Sequence, residues 1–579
     1  FDFLGLKTLT VINNTQKLIK KIDKNFDIEK ISYEDQKVFE LLSSGNTVGL
    51  FQVESAGMRE ALIQMKPNHI EDIIALVALY RPGPMSNIPT YNDCKHGRQT
   101  PDYLHPLLED ILKPTYGVII YQEQVMQIAQ KLSGFTAGQA DLLRRAMGKK
   151  KRAELEKQKQ GFIAGAVENG IAKDVAAGIF LKIEPFAEYG FNKSHAAAYA
   201  IISYQTAFLK TYYPKEFIAA SMTMDISNQN KLSEFYEELK RLNIEVTRPN
   251  INECYADFRT EGDKFYYALG GIKAVGFEAI SNVIKERSEN GKFDSINDFL
   301  KRVNPKDMNK LQLEGLVKAG AFDNLNDNRQ SLFDSIPNFI LKTKNIFDNK
   351  SANQIDLFSD DESSQNDITH DTEDWKFEER LSKEFEAVGF FISDHPLNQF
   401  TEIFDDYKIK DYSNFNSNDE IKDANIAATL LKVQERKTAK GNAYAVLKLT
   451  DLNSVFELFI FSDILELNRE ILKEGNSLIL TLVKNISNDE NRFKRINVQK
   501  IGSLKELFNS PINEVSFDVK SHIEVDEISK ILKEDGKTTV NINMTFDEKT
   551  LKFKLKNSRN LDRKSLNLLR KEEISSTIN

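Results

Sequence analysis

Hydrophobic positions follow a helical period over roughly the first 400 residues of the chain. Segments such as Val125 to Leu132 and Lys173 to Leu181 space apolar residues three and four apart, and Gly or Pro residues separate them. Residues 376 to 395 read as a further amphipathic helix. From Asp348 to Asp374 the chain is rich in Asn, Ser, Asp and Gln, which indicates a linker or a disordered segment.

The pattern then changes to an alternation with a period of two. Strands are predicted at 426–431, 444–449, 455–461, 477–482 and 493–498, and a helix at 463–472. This order is typical of an OB-fold, a small β-barrel that binds oligonucleotides, although other small barrels share it. Residues 513–579 are expected to form a terminal α+β unit that ends in a helix rich in Lys and Asn. The predicted fold class is therefore multidomain: mainly α, then a β-barrel, then α+β.

Composition narrows the class of protein. At about 150 residues per domain, 579 residues indicate about four domains. The two cysteines, Cys94 and Cys254, exclude a disulfide framework and a multi-cysteine zinc site, and they fit a reducing compartment. No apolar run approaches the ~20 residues of a membrane span. The chain opens on Phe1 without a basic leader, so we expect a piece of a longer polypeptide.

Charge is distributed unevenly along the chain. The net charge is −8, and residues 359–379 carry nine acids against one base, so the remainder is neutral overall. Residues 141–160 hold eight bases and three acids. A basic run is more often a solvated helix face than a binding surface. Its position beside other phosphate-type side chains favours binding here.

A group of polar residues begins a predicted helix within Tyr189–Tyr199. Asn192 and Ser194 can cap this helix. Lys193 and His195 are expected beside free backbone N–H groups of its first turn, where the helix dipole attracts anions. A single His at a helix start is as often structural as it is a ligand, but the grouping favours a phosphate or triphosphate.

A second basic surface is predicted within Gln139–Lys151. Arg144 and Arg145 fall on a helix that ends at a glycine, and paired arginines suit bidentate phosphate contacts. The lysines that follow are Lys149, Lys150 and Lys151.

Two further segments carry candidate chemistry. Asp2 alternates with apolar residues, and a carboxylate at the edge of a buried strand needs either a hydrogen-bond donor or a metal ion. The polar segment also contains Gln354, Asp356, Leu357 and Phe358. The exposed Leu-Phe pair in such a segment is typical of a short peptide that binds a partner through two apolar anchors. A pattern this short also arises by chance. The chain has no catalytic triad, zinc spacing or Walker-type loop.

Taken together, these motifs resemble the alpha subunits of bacterial DNA polymerase III, the replicative family C DNA polymerases. Besides both basic motifs, the matching segments are Phe1–Leu6, Gly49–Ser55, Leu79–Met85, Tyr116–Met126 and Lys383–Pro396. The resemblance is dense over 1–220 and 260–400 and looser after 420.

The resemblance implies a division of the chain into seven parts. These are the end of a palm strand (1–8), fingers (9–258), a helix–hairpin–helix region that binds duplex (259–345), an acidic segment with a clamp-binding peptide (346–375), a helical connector (376–418), an OB-fold (419–505) and a C-terminal domain of the clamp-loader-binding type (506–579).

The resemblance also implies a catalytic role for Asp2. In this family three palm aspartates hold two Mg²⁺ ions, and Asp2 matches the third of them. The other two, an Asp-x-Asp pair, are not in this sequence, so the fragment alone is expected to be inactive.

Other roles follow by matching motifs. Arg144, Arg145, Asn192, Lys193 and His195 would face the incoming dNTP. DNA contacts are implied for Lys149, Lys150, Lys151, Lys273 and Gly276, although Lys273-Ala274 stands where Gly-x-Gly would be clearer.

Partners are implied in the same way. Gln354, Asp356, Leu357 and Phe358 would bind the sliding clamp, and Phe456, Phe459 or Phe461 would stack on single-stranded template. The implied partners are primer–template DNA, dNTPs, the sliding clamp, the clamp-loader tau subunit and a separate proofreading exonuclease, with no membrane and a bacterial cytoplasmic location.

Three functions are therefore compared. The first is a DNA-directed DNA polymerase acting in DNA replication. The second is a non-catalytic DNA-binding scaffold tethered to a clamp. The third is an inactive polymerase paralogue, but this chain retains Asp2 and the basic pairs that such a paralogue would lose. The motifs at Arg144 and His195 favour the first.

Overall fold

The computed structural model describes residues 5–148, 152–351, 370–438, 441–486, 494–546, 549–572 and 574–578. These described residues fall into two compact units. One is the described part of Phe1–Asp327 with Ser335–Ile368, and the other is the described part of Asn328–Asp334 with Thr369–Asn579. The predicted fold class is confirmed, since helices dominate the first unit and sheets the second.

The first unit begins as a helical body. Its helices are α1 (Lys7–Ile19), α2 (Gln36–Ser43), α3 (Ala56–Met65), α4 (Ile70–Leu79), α5 (Ile88–Lys95), α6 (Glu109–Leu112), α7 (Gln122–Ser133), α8 (Ala137–Gly148), α9 (Arg152–Glu168), α10 (Lys173–Tyr189), α11 (Lys193–Tyr212), α12 (Pro214–Met224) and α13 (Gln229–Arg241). Helices α7 to α10 share one apolar core, in which Val125, Leu143, Phe162 and Phe180 are fully buried. This core fixes the position of the basic helix α8.

A buried ion pair ties α11 to α13. Lys210 Nζ lies 2.7 Å from Glu238 Oε1, with 1% and 5% of the two side chains exposed. The same ammonium donates to the carbonyl oxygens of Asn46 and Val48 at 2.9 and 2.8 Å. Arg241 donates to both oxygens of the Glu238 carboxylate, at 2.8 and 2.6 Å. A buried charge of this kind is tolerated because every partner is present.

A small sheet and four helices follow. The strands are β1 (Val246–Thr247), β2 (Arg259–Glu261) and β3 (Lys264–Tyr266), in the order β1-β3-β2, and the helices are α14 (Phe277–Asn290), α15 (Ile296–Arg302), α16 (Lys310–Lys318) and α17 (Arg329–Ser351).

The hairpin before α14 contains a strained residue. Ala274 has φ +65°, a left-handed conformation that favours glycine. Helix α16 packs closely on this hairpin, since a Cβ on Gly315 would lie 2.6 Å from the carbonyl oxygen of Lys273. The hairpin therefore forms although Ala274 occupies a position where a glycine is expected.

The second unit contains a five-stranded antiparallel sheet. Its elements are α18 (Phe377–Val388), α19 (Tyr412–Ser417), β4 (Asp423–Lys437), β5 (Ala443–Thr450), β6 (Val455–Phe461), α20 (Ser462–Asn468), β7 (Ser477–Ile486) and β8 (Lys494–Ser503), with strand order β6-β5-β4-β7-β8. All five strands and the helix overlap their predicted ranges, although β4, β7 and β8 extend four to six residues further and α20 ends four residues earlier than predicted. The edge strands approach each other, because the Arg495 guanidinium lies 5.6 Å from the centre of the Phe461 ring.

The C-terminal elements form the second sheet of this unit, which contains both parallel and antiparallel strand pairs. They are α21 (Leu504–Asn509), β9 (Glu514–Val519), α22 (His522–Ile531), β10 (Lys533–Phe546), β11 (Lys549–Lys554), β12 (Arg559–Asn560), α23 (Arg563–Lys571) and β13 (Ser575–Ile578), with main strand order β11-β10-β9-β13. The prediction that this unit ends in its helix was wrong. Strand β13 follows α23 and pairs antiparallel with β9, which places Ile578 opposite Val515.

Both cysteines are buried and unpaired. Cys254 donates its thiol to the carbonyl oxygen of Arg248, and burial raises the pKa of Cys254 to about 12. Burial, followed by the charge of Asp93, raises the pKa of Cys94 above its usual value.

Replacing Glu238 by Gln should destabilise the first unit by about 3 kcal/mol, because it leaves the buried Lys210 ammonium without its counter-charge. The midpoint of chemical denaturation measures this loss. The matched control is Glu237→Gln, which disturbs only a surface pair with Lys240 and should cost less than about 0.5 kcal/mol. Equal effects of the two changes would contradict a structural role for the buried pair.

Replacing Ala274 by Gly should stabilise the hairpin by about 0.5–1 kcal/mol, because glycine removes the left-handed strain. Hydrogen exchange of the α14 amides gives the local free energy. Ala279→Gly, within α14, is the matched control and should act in the opposite direction. Faster exchange in Ala274→Gly would mean that the hairpin is unstrained.

Candidate functional site

Two segments that are distant in the sequence meet in a short backbone pairing. The amide of Gln122 donates to the carbonyl oxygen of Phe191 at 3.0 Å, and the amide of Phe191 donates to that of Ile120 at 3.1 Å. The pairing joins the start of α7 to the residues before α11. It brings two of the motifs found in the sequence to one place.

The N-terminus of α11 is occupied by acceptors from the protein itself. Asn192 caps the helix as predicted, since its Oδ1 accepts from the amide of His195 at 2.9 Å. Glu123, from α7, accepts from the amide of Lys193 at 3.0 Å and from Asn192 Nδ2 at 2.9 Å. Two N–H groups of the first turn, those of Lys193 and His195, are therefore bonded to side-chain acceptors and are not free as the sequence analysis expected for this turn.

The paired arginines lie in the second half of α8. Arg144 donates to Asp141 Oδ1 through Nε at 2.9 Å and Nη2 at 2.8 Å, and its Nη1 reaches Gln122 Oε1 at 3.3 Å. Arg145 binds the second oxygen of Asp141 at 2.8 Å. The hydrogen bond from Arg144, with the charges of both arginines, lowers the pKa of the Asp141 carboxyl, so this group is ionised at neutral pH.

Arg144 and the start of α11 therefore belong to one site. Gln122 contacts Arg144, and the next residue, Glu123, contacts Asn192 and Lys193. Arg144 is 29% exposed and Arg145 61% exposed, so both guanidinium groups reach solvent. The site brings exposed cations close to the start of α11, whose first amides are bound to Glu123 and Asn192, and such a group of cations suits a polyanionic ligand.

An aromatic row borders these cations. The His195 ring stacks on Tyr199 with centres 4.4 Å apart, and it meets Phe191 edge-on at 5.4 Å. The Arg81 guanidinium lies over the Phe191 ring, 4.6 Å from its centre. The Lys193 ammonium lies 5.3 Å from the centre of the Tyr121 ring. Aromatic rings thus lie beside the cations of the site.

Sequence reasoning missed the residues that organise the site. The sequence analysis assigned no role to Gln122, Glu123 or Asp141, although all three orient residues to which it did assign a role. The one signal available was that all three lie inside matched motifs, Gln122 and Glu123 in Tyr116–Met126 and Asp141 in Gln139–Lys151.

Several predicted site residues lie outside the part of the chain that the structure describes. They are Asp2, Lys149, Lys150, Lys151, Gln354, Asp356, Leu357 and Phe358. Within the described ranges, no three His, Cys, Asp or Glu residues are grouped so that they could hold a metal ion. None of the described helices is long and apolar enough to span a membrane.

The two predicted hairpin residues lie together at the start of α14. Lys273 is exposed, and Gly276 is the residue before the helix, with an extended backbone. No side chain caps this helix start. A Cβ on Gly276 would lie 3.2 Å from Gln312 Nε2, so α16 approaches closely here. A small residue and an exposed cation are thus both present at the hairpin.

The three phenylalanines proposed for stacking all lie on strand β6, but they do not face the same side of the sheet. Phe459 and Phe461 point outward and are 54% and 47% exposed. Phe456 was wrongly included, because it is buried in the sheet core and its ring stacks on Tyr412 at 3.7 Å. Alternate residues of a strand face opposite sides, which places Phe456 apart from the other two.

Comparison with protein families gives two matches. Residues 8–170 match the model of the bacterial DNA polymerase III alpha subunit finger domain, and residues 243–332 match a helix-hairpin-helix motif. The cationic helix α8 lies in the first match, and Lys273 and Gly276 lie in the second.

Curated relatives agree with these matches. The DNA polymerase III subunit alpha of Caulobacter vibrioides is 42% identical over 495 residues, which are 85% of this chain and 43% of that protein. The protein of that name from Rickettsia bellii is 41% identical over 92% of this chain and 47% of its own length. The Staphylococcus aureus protein is 37% identical over 95% of this chain and 50% of its own length. This chain thus spans about half the length of the relatives it matches, and it belongs to the family of bacterial DNA polymerase III alpha subunits.

Proposed function

We propose that this chain is the nucleotide- and DNA-binding part of a replicative DNA polymerase, which transfers a nucleotide from a dNTP to a primer 3′-hydroxyl. The observation that carries the proposal is the joining of Arg144 to the start of α11 through Gln122 and Glu123. Phosphoryl transfer needs positioning and charge neutralisation more than covalent chemistry, and this site supplies both.

Each group has a distinct role in this proposal. Arg144 and Arg145 neutralise the triphosphate, and their planar guanidinium groups suit paired contacts with phosphate oxygens. Lys193 adds a third cation beside the amides of α11. Asn192 and His195 complete the polar wall, and the aromatic row lies where a base or sugar can pack. These side chains orient the α-phosphate and do not form a bond to it.

Metal chemistry is assigned to Asp2 by resemblance alone. Two Mg²⁺ ions would polarise the phosphate and lower the charge on the leaving pyrophosphate when bound. A carboxylate oxygen is a ligand that Mg²⁺ prefers, so Asp2 is a suitable donor. One carboxylate does not hold two ions, so the proposal requires further ligands from outside this sequence. The isolated fragment is then inactive.

Two surfaces are proposed to hold DNA. At the hairpin, Lys273 and the uncapped start of α14 would contact duplex phosphates without reading sequence. On β6, the exposed rings of Phe459 and Phe461 would stack on single-stranded bases, and Arg495 beside Phe461 would hold the backbone. Lys149, Lys150 and Lys151 are proposed to extend the phosphate contacts of α8.

Partner contacts are proposed at two further segments. Gln354, Asp356, Leu357 and Phe358 would bind the sliding clamp, which raises the effective concentration of polymerase at the primer end. Residues 506–579 would bind the clamp-loader tau subunit, and a separate exonuclease subunit would supply proofreading.

Arg144→Ala should raise the KM for dNTP about 10- to 100-fold in the complete polypeptide, because it removes a charged contact to the triphosphate. Steady-state primer extension measures KM, and a filter-binding assay measures primer–template affinity, which should change little. Arg98→Ala removes an exposed arginine that is paired with Asp93, and it should leave both values unchanged.

An unchanged KM in Arg144→Ala would refute the nucleotide role of this site. In the same assay Asp2→Asn should bind primer–template and fail to extend it. If the unaltered complete polypeptide never extends a primer, the clamp-tethered scaffold becomes the better account.

Replacing Leu357 and Phe358 by Ala should shorten the products made with the clamp and leave clamp-free synthesis nearly intact, because apolar anchors carry most of the energy of a short peptide contact. Product length on a long primed template measures both. An equal loss with and without the clamp would mean that the peptide has a structural role.

A further inference from the structure

A carboxylate already lies where the proposed nucleotide site would take a phosphate. Glu123 Oε2 accepts from the amide of Lys193 at 3.0 Å, and Glu123 Oε1 accepts from Asn192 Nδ2 at 2.9 Å. One anionic group thus accepts from a backbone N–H and a side-chain amide, as a phosphate does at a helix N-terminus. The residue comes from α7, 70 positions before Lys193.

Capping of the helix does not require this carboxylate. Asn192 already accepts from the amide of His195, which satisfies the usual capping position. Glu123 therefore adds a second acceptor with a full negative charge to the positive end of the helix. Its contacts are exposed, so a solvated phosphate can replace it without leaving an unpaired charge buried.

We propose that Glu123 competes with the triphosphate for the donors at the start of α11, so that nucleotide binding exchanges a carboxylate for a phosphate. This inference rests on the proposed function of the site. No covalent bond forms or breaks in the exchange. The donors are free only in the fraction of molecules in which Glu123 has moved away. The apparent affinity for nucleotide is therefore reduced to that fraction of its intrinsic value.

The exchange lowers the affinity for every anion that uses these donors by the same factor. A dNTP has other contacts, at Arg144 and along the aromatic row, that offset this cost. A small anion such as pyrophosphate has fewer contacts, so the same cost leaves it weakly bound. Glu123 thus sets the affinity of the site for phosphates, and it also occupies the donors again once product has left.

The test is primer extension by the complete polypeptide carrying Glu123→Gln. The amide oxygen keeps one acceptor and the charge is lost. The KM for dNTP and the inhibition constant of inorganic pyrophosphate should each fall about fivefold. Glu109→Gln is the matched control, since it removes an exposed carboxylate of the neighbouring helix α6, and it should change neither value.

Glu123→Asp separates exchange from simple repulsion. The variant keeps the negative charge, but its shorter side chain does not reach both donors. If Glu123 competes with phosphate for these donors, this variant also lowers the KM for dNTP and the inhibition constant of pyrophosphate. Repulsion alone predicts no change in this variant, and that result would overturn the proposal.

The failure of this inference can be told from failure of the proposed function. If Arg144→Ala raises KM while both Glu123 variants leave it unchanged or raised, Glu123 only positions α11 and the exchange is refuted. If Arg144→Ala leaves KM unchanged, the site does not bind nucleotide and the function itself fails. Thermal denaturation of each variant identifies any loss of fold, and Glu123→Asp then supplies the decisive value.

Discussion

The site depends on two backbone hydrogen bonds between residues 120–122 and Phe191. These bonds fix the start of α7 against the start of α11. Adjacent side chains then diverge: Gln122 meets Arg144 on α8, and Glu123 meets Asn192 and Lys193. Because α7 and α8 share one buried core, the position of the arginines relative to α11 is set by packing rather than by the ligand.

The fold could be predicted from the sequence wherever its cause is local. Alternation located all five strands of the sheet in the second unit, and Asn192 was identified as a cap because a cap needs only its own helix. Alternation also separates Phe456 from Phe459 and Phe461, so that error was avoidable. The final strand β13 was missed because it forms by pairing with β9, which lies some sixty residues earlier in the chain.

The organisation of the site could not be predicted in this way. Glu123 meets Lys193 across 70 positions, and no local pattern indicates such a contact. Net charge was also an incomplete guide. Residues 141–160 carry five more bases than acids, yet the Asp141 carboxylate holds both Arg144 and Arg145. The resemblance identified which residues matter, while the contacts show that their charges are already partly compensated.

The burial of Cys94 and Cys254 has a practical consequence for spectroscopy. They are the only cysteines of the chain, and neither thiol reaches solvent appreciably. With a pKa of about 12, Cys254 exists as thiolate in fewer than about one molecule in 10⁴ at neutral pH. Maleimide dyes and spin labels react with thiolate, so the native chain offers them almost no target. A single cysteine introduced on the surface would therefore carry a fluorophore selectively, without removal of the two native residues.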